Sequence, residues 1–495
     1  MATASDKRVA AFEDSGQSVF AAGTFSLQLG MSLLMLVVSG LAWVSGSLDW
    51  AVNVSILGFV VNTSLVVIEV HAVLTQRGKL APLLIIGGCL FWFIIDATVL
   101  ALGDVPFTSR YPLYPYFAAG IPADVVGKTL FGVYLFQVCG LLGLRYLQIP
   151  RGTIARWASR KDILTGTPMD MVCLLIVLLP YIPFAILAGD WTQTLNRLIE
   201  MRNSEAAVEF VGGDPGLTIH LCLLGIFGGS VATARFLLGL KGSNTVRLIS
   251  VTATAIWVFL SGTRFLMIFL ILPSLVLLTY QSAGRARSSN LRLRLLAVAA
   301  VAALAVFVQA AIRNVGVEGY SSYERTSDVI RGGAVGYEHF EAMAIAIDLS
   351  DREDVQFHEF MLPVVVRHFI PRVWWPEKPE WESWAFYNEA VTAGAGSFNV
   401  TPSVTGEYYL NWGLWGIIFI GFFFGWLGRC TDAWLERVSF AKGFSGAVFC
   451  GFFMGFLFVS YRILSPIYIA YVVGAAIVLV MLTRPDDKMP RATSP

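Results

Sequence analysis

The chain has 495 residues, 56% of them hydrophobic and only 14% charged, with a mean hydropathy of +0.67 and a net charge of +1. Soluble domains are about 45–50% apolar and about 25% charged, so composition excludes a soluble globular protein and predicts a multi-pass membrane protein. A near-neutral balance with no basic tail or basic-aromatic repeat also argues against a nucleic-acid partner.

The N-terminal stretch "MATASDKRVAAFEDSG" is polar and shows no cleavable leader pattern, so the first apolar run is expected to stay as a helix. A bilayer core about 30 Å thick needs roughly 20 apolar helical residues per crossing. Runs of that kind start near Phe25, Trp50, Leu80, Val126, Met169, Leu217, Leu248, Leu266, Leu295, Glu407, Phe444 and Pro466. They predict an all-α integral membrane protein of about 12 transmembrane helices. The short runs 248–262 and 265–280 flank "SGTR" and read as a tight hairpin with Arg264 at its tip. Segments 1–24, 75–79, 145–165, 235–247, 283–294, 428–442 and 484–495 hold 22 of the 35 lysines and arginines. Basic connections mark the cytoplasmic side, which puts both termini inside. The layout is then an N-terminal segment 1–24, spans one to nine over 25–312, a large external loop 313–405, three spans over 406–483 and a tail 484–495. The cysteines (Cys89, Cys139, Cys173, Cys222, Cys430, Cys450) fall in spans or on the inner side, without metal-ligand spacing, so neither a disulfide nor a metal site is expected.

The loop 313–405 carries seven basic and fourteen acidic residues. Within it "YEHFEAMAIAIDL" and "EWESWAFYNEAV" read as short amphipathic helices. "FMLPVVVRHFI" is too short to cross a bilayer and reads as re-entrant or interfacial. "FIPRVWWPEKPEWESW" (369–384) follows, stiffened by Pro371, Pro376 and Pro379. Its Trp374, Trp375, Trp381 and Trp384 fit either an interfacial belt or a stacking platform for sugar rings.

Arginines near a membrane face are costly and therefore functional suspects. Arg264, Arg313, Arg367, Arg372 and Arg462 ("FVSYRILSP") all fall on the external side. Each could snorkel to lipid headgroups. Converging from several helices, they fit a diphosphate on a lipid carrier, because guanidinium pairs with phosphate through planar double hydrogen bonds. Glu407 opens the next span, where the positive helix end suits a carboxylate. In apolar surroundings it also takes up a proton more readily, as a general base must. Tyr408 adjoins it and Asn411 shares its helical face. The glycines of this span, including Gly413, Gly421 and Gly425, are expected to permit close helix approach.

"IPRVWWPEKP", then "TPSVTGEYYLNWGLWG" and a Gly/Phe-rich span, resembles the Wzy-type oligosaccharide repeat-unit polymerases of bacterial O-antigen and exopolysaccharide pathways. "SGTR" between paired spans and the Arg-Asn pair at 313–314 fit as well. The likeness is sharpest over 370–428, weaker over 255–340, and before residue 240 lies only in the multi-pass character; "NWG" stands where "NFG" is usual. The resemblance implies a glycosyltransferase of the inner membrane with its active face in the periplasm. It would move a growing glycan from undecaprenyl diphosphate to the next lipid-linked repeat unit, without metal or other cofactor. Its partners would be the undecaprenyl-diphosphate-linked oligosaccharide, membrane lipids, and a flippase and chain-length regulator of the same pathway. Arg264, Arg313, Arg372 and Glu407 carry over from the family pattern. Such chemistry needs cations for the departing diphosphate and a base for the acceptor hydroxyl; Glu407 is the first choice and His368 the second, with His339 and Glu341 behind them. The rival readings are an O-antigen ligase, using the same donor, and a glycolipid or solute transporter.

Overall fold

The computed structural model describes residues 4–75, 79–103, 105–108, 115–117, 119–179, 181, 216–260, 265–282, 339–359, 375, 377, 382–392, 402–438, 443–462 and 466–485. Over these residues the chain is all α apart from one two-residue ladder. The helices are α1 (Ala4–Ser45), α2 (Leu48–Leu74) and α3 (Leu80–Cys89), which continues through a π turn at Leu90–Ile94 into α4 (Ile95–Ala101). There follow α5 (Ala123–Tyr146), α6 (Arg151–Ala158), α7 (Thr167–Leu178), α8 (Gly216–Leu237), α9 (Asn244–Leu260) and α10 (Phe265–Ser282). The last are α11 (His339–Glu353), α12 (Glu382–Thr392), α13 (Ser403–Leu435), α14 (Phe444–Ser460) and α15 (Pro466–Leu482).

Five stretches are long and apolar enough to cross a membrane: Gly23–Ser45, Leu48–Val73, Leu80–Ala101, Ala123–Tyr146 and Ser403–Leu435. Thr167–Leu178, Leu224–Leu237, Met267–Leu277, Phe444–Ser460 and Val472–Leu482 are apolar but shorter. Each predicted span start lies on a helix, except Leu295, which is outside the described residues. Leu34, Val37, Val44, Val67, Trp415 and Met481 point outward, each at least half exposed. Large apolar side chains exposed in such numbers are a liability in water and the natural surface in lipid. The molecule fits a multi-pass membrane protein.

The packing centre is α5, held between α1 and α13. Its Gly140 faces Gly425 so closely that a Cβ on Gly425 would overlap the Gly140 carbonyl. Here small residues do allow helices to approach, as expected. Rings seal the flanks: Phe136 meets Phe424 edge-on at 5.5 Å and Trp43 meets Phe131 at 5.5 Å. The expected hairpin around 261–264 consists of α9 and α10, both packed on α8, where Ser230 Oγ donates to the Phe269 carbonyl (2.7 Å); its tip is outside the described residues.

Segments that the basic-residue pattern groups together contact one another at one end of the bundle. Lys79 pairs with Glu436 (2.9 Å), and Asp432 accepts from the N–H groups of Leu80 and Ala81 at the start of α3. Arg429 donates to the carbonyls of Arg145 and Leu147, and Asp162 accepts from Phe444 and Ser445 N–H at the start of α14. Strand β1 (Lys161–Asp162) pairs antiparallel with β2 (Thr483–Arg484). Asp170 on α7 receives Arg235 Nε (2.7 Å) from α8, Arg247 Nε (2.8 Å) from α9 and Ser243 N–H (2.8 Å). Both guanidiniums also donate to the Lys241 carbonyl, so this buried cluster fixes the α8–α9 turn.

At the opposite end α11 and α12 occupy the two stretches predicted as short helices. One expectation is corrected. Residues His339–Ser350 of α11 are all buried, so this helix is not amphipathic but is wedged among α5, α13 and the π turn. Its polar groups are tied down: Asp96 accepts from Phe340 N–H (2.9 Å), Tyr116 donates to Asp348 (2.9 Å), and Tyr409 donates to Asp351 (2.7 Å). Asp96 thus caps a helix, and Glu69 accepts from Gln28 (2.5 Å), which pairs α1 with α2. Burial, then the bond to Asp348, pushes the Tyr116 hydroxyl above its ordinary range.

Candidate functional site: a span broken at Gly413

Residues 403–435 read as one apolar helix, yet Gly413 has φ 58° and ψ −145°, so α13 is two rods, 403–412 and 414–435. That backbone region is essentially glycine's alone. The break frees carbonyls that an unbroken helix would use. Phe357 N–H donates to the Leu410 carbonyl (3.3 Å) and His358 N–H to that of Asn411 (3.1 Å). The irregular strip 355–359 therefore caps the first rod, with Trp412 Nε1 donating to the Glu359 carbonyl (3.3 Å) and the His358 ring 4.8 Å from that of Trp412.

Asn411 and Glu359 are the hubs. Asn411 Nδ2 donates to the Glu407 carbonyl (2.9 Å) and to Ser383 Oγ (3.3 Å), while its Oδ1 accepts from Glu359 N–H (2.9 Å). The Glu359 carboxylate accepts from Ser383 N–H (3.1 Å) and Ser383 Oγ (3.0 Å), capping the start of α12. This network joins the first rod of α13, the strip 355–359 and α12, which carries Trp384.

Glu407 is buried, and its Oε2 has no hydrogen-bond partner among the described residues. The helix begins at Ser403, so Glu407 lies beyond the first turn. The favourable pull of the helix end fades within that turn, and the helix-terminus explanation for this acid is corrected accordingly. Most buried polar atoms find a partner, and one that does not calls for an explanation, of which a catalytic role is one.

Around this rod the structure gathers several expected residues. Tyr408 stacks on Phe419 (6.3 Å, 25°). Val404 N–H donates to the Tyr461 carbonyl (3.1 Å), which places the start of the rod beside Arg462, half-buried at the end of α14. Thr405 Oγ1 contacts Met343 Sδ (2.9 Å), docking the rod on α11, the helix that begins with His339 and Glu341. The π turn adds Trp92, whose Nε1 donates to the Phe458 carbonyl (2.7 Å) and whose ring lies 4.9 Å from that of His339. Such π turns recur at functional sites. Trp375 is half-buried. Arg264, Arg313, Arg367, His368, Arg372, Trp374 and Trp381 lie outside the described residues.

Sequence reasoning missed His358, Glu359 and Ser383. The one available signal was the polar pair His358–Glu359 directly before the apolar "FMLPVVV".

No family model, no curated protein and no solved structure matches this chain. The functional reading therefore rests on the residues and their geometry.

Proposed function

We propose that the chain is an integral-membrane glycosyltransferase that polymerises undecaprenyl-diphosphate-linked oligosaccharide repeat units into O-antigen or exopolysaccharide. In this reading about 12 spans cross a bacterial inner membrane, both termini are cytoplasmic, and residues 313–405 belong to the periplasmic face. The observation that carries the proposal is the Glu407 carboxyl, buried and without a donor on Oε2 among the described residues, on a rod set off from its span by Gly413. Glu407 takes the proton of the acceptor hydroxyl as that oxygen attacks the anomeric carbon. Arg462, with Arg264, Arg313, Arg367 and Arg372, holds the departing diphosphate, whose negative charge fixed cations stabilise. Trp384, held against the rod through Ser383 and the buried Asn411, gives the saccharide a ring face.

The test is incubation of the purified protein with one synthetic undecaprenyl-diphosphate-linked repeat unit. A ladder of longer glycans is expected. Glu407→Met should abolish the ladder while leaving the melting temperature unchanged or higher, since a methionine of similar volume relieves the desolvation of a buried acid. Lysine at Arg264, Arg313, Arg372 or Arg462 should shorten the ladder at normal protein levels. A wild-type ladder from Glu407→Met would remove the base assignment.

The break itself favours a second reading, because interrupted helices line the substrate sites of many transporters. Movement of the lipid-linked unit across vesicles, with no glycan extension, would select it. The ligase reading separates by phenotype, since loss of a ligase leaves long unattached chains and loss of a polymerase leaves single repeats.

A further inference from the structure

At the end of the bundle away from Gly413, α6, α13 and α14 enclose a slot of about 250 Å³. A helix advances about 1.5 Å per residue, so Trp434 lies roughly 30 Å along α13 from the break, and the slot is remote from Glu407. Its walls are apolar: Ile154 and Trp157 from α6, Trp426 and Trp434 from α13, and Phe449 and Phe453 from α14. The Trp434 indole N–H is buried without a hydrogen-bond partner among the described residues.

What surrounds the slot gives its occupant a charge. Helix α6 buries Ile154 and Ala158, exposes Arg151 and Arg156, and follows the exposed Tyr146 and Leu147. Segment 145–165 holds five basic residues against one acid, Asp162, whose carboxylate caps α14. Arg160 lies over the Trp157 ring at 5.3 Å, and Arg429 on α13 adjoins Cys430 of the lining. An amphipathic helix with a basic outer face at the end of a transmembrane bundle lies in the membrane interface and attracts anionic lipid. We infer that this slot binds an anionic phospholipid, with an acyl chain between the tryptophans and the phosphodiester against Arg151 and Arg156.

The experiment is quenching of tryptophan fluorescence in the full-length purified protein by phospholipids with brominated acyl chains. Brominated phosphatidylglycerol should quench at lower mole fraction than brominated phosphatidylcholine. Each arginine near an anionic surface contributes about fivefold in affinity, so Arg151→Gln/Arg156→Gln should lose most of that preference. These side chains are exposed, so the variant is expected to fold. Thr153→Phe, which fills the slot from the exposed side of α6, should weaken quenching by the anionic lipid at an unchanged melting temperature. Equal quenching by the two lipids in the wild type would overturn the proposal, as would a preference indifferent to the double arginine variant. Competition by soluble glycerol phosphate as strong as that by phosphatidylglycerol would reduce the site to an anion patch and sink the lipid assignment. A folded Thr153→Phe variant that binds like the wild type would remove the acyl chain from the slot.

Discussion

Alanine at Gly413 is the sharpest probe of the broken span. At φ 58° and ψ −145° a Cβ would sit 3.2 Å from Gln356 Nε2, a flexible group that can yield, so the cost is mainly in the backbone. Holding a non-glycine residue in such a region costs about 1–3 kcal/mol. The alternative is to straighten the helix, which returns the Leu410 and Asn411 carbonyls to α13 but strips the N–H groups of Phe357, His358 and Glu359 of their acceptors. Three donors losing about 1 kcal/mol each make that route cost about 3 kcal/mol. The cheaper route sets the loss, so Gly413→Ala should lower stability by about 1–3 kcal/mol, or roughly 2–6 °C at about 2 °C per kcal/mol for a large chain. The assay is thermal unfolding of the detergent-purified protein beside Gly87→Ala. Gly87 is helical, and a Cβ there meets nothing closer than 3.9 Å, so its substitution should be neutral or stabilising by up to about 1 kcal/mol. If the two variants melt together with the wild type, α13 is continuous and the site as described does not exist.

Asp170→Asn leaves the buried guanidiniums of Arg235 and Arg247 uncompensated. Breaking one side of a buried ion cluster costs about 3–5 kcal/mol, so this variant should melt well below the wild type, and fluorescence-detected unfolding would show it. Asp162 lies outside the spans, and burial, opposed by the N–H groups of Ser445 and Phe444 and by the Arg235 charge, lifts its carboxyl above the ordinary 3.8. An acid whose folded value is raised is favoured in its protonated form, so stability falls as pH rises from 3.8 through the folded value. Asp162→Asn cannot ionise, and melting curves across that interval should lose this part of the slope.

The helical segments were legible because apolar runs of membrane length leave the backbone one way to satisfy its own hydrogen bonds. Helices α11 and α12 were legible too, from apolar spacing at helical period. The burial of α11 was not. Its Glu341, Asp348 and Asp351 look like the acids of a solvated face, and only the fold supplies Tyr116, Tyr409 and Lys128 as partners for two of them. The acid at 407 and the amide at 411 were readable as a pair on one face. Their link to Ser383 and Glu359 was not, because it depends on an irregular strip that turns back onto the rod. Gly413 was hidden by its company: among glycines spaced for packing, nothing in the local string marks the one that bends the chain.

The tight seam between Gly140 and Gly425 has a consequence for biogenesis. The two sides of that seam are far apart in the chain, and at about 5–20 residues per second the ribosome needs on the order of half a minute to make the intervening stretch. Until then the groove carved into the fourth long helix stands open to lipid or to a chaperone. Nascent chains arrested before residue 403 should therefore remain sensitive to proteases and crosslinkers at that groove, and protection should arrive only when the last three helices are inserted.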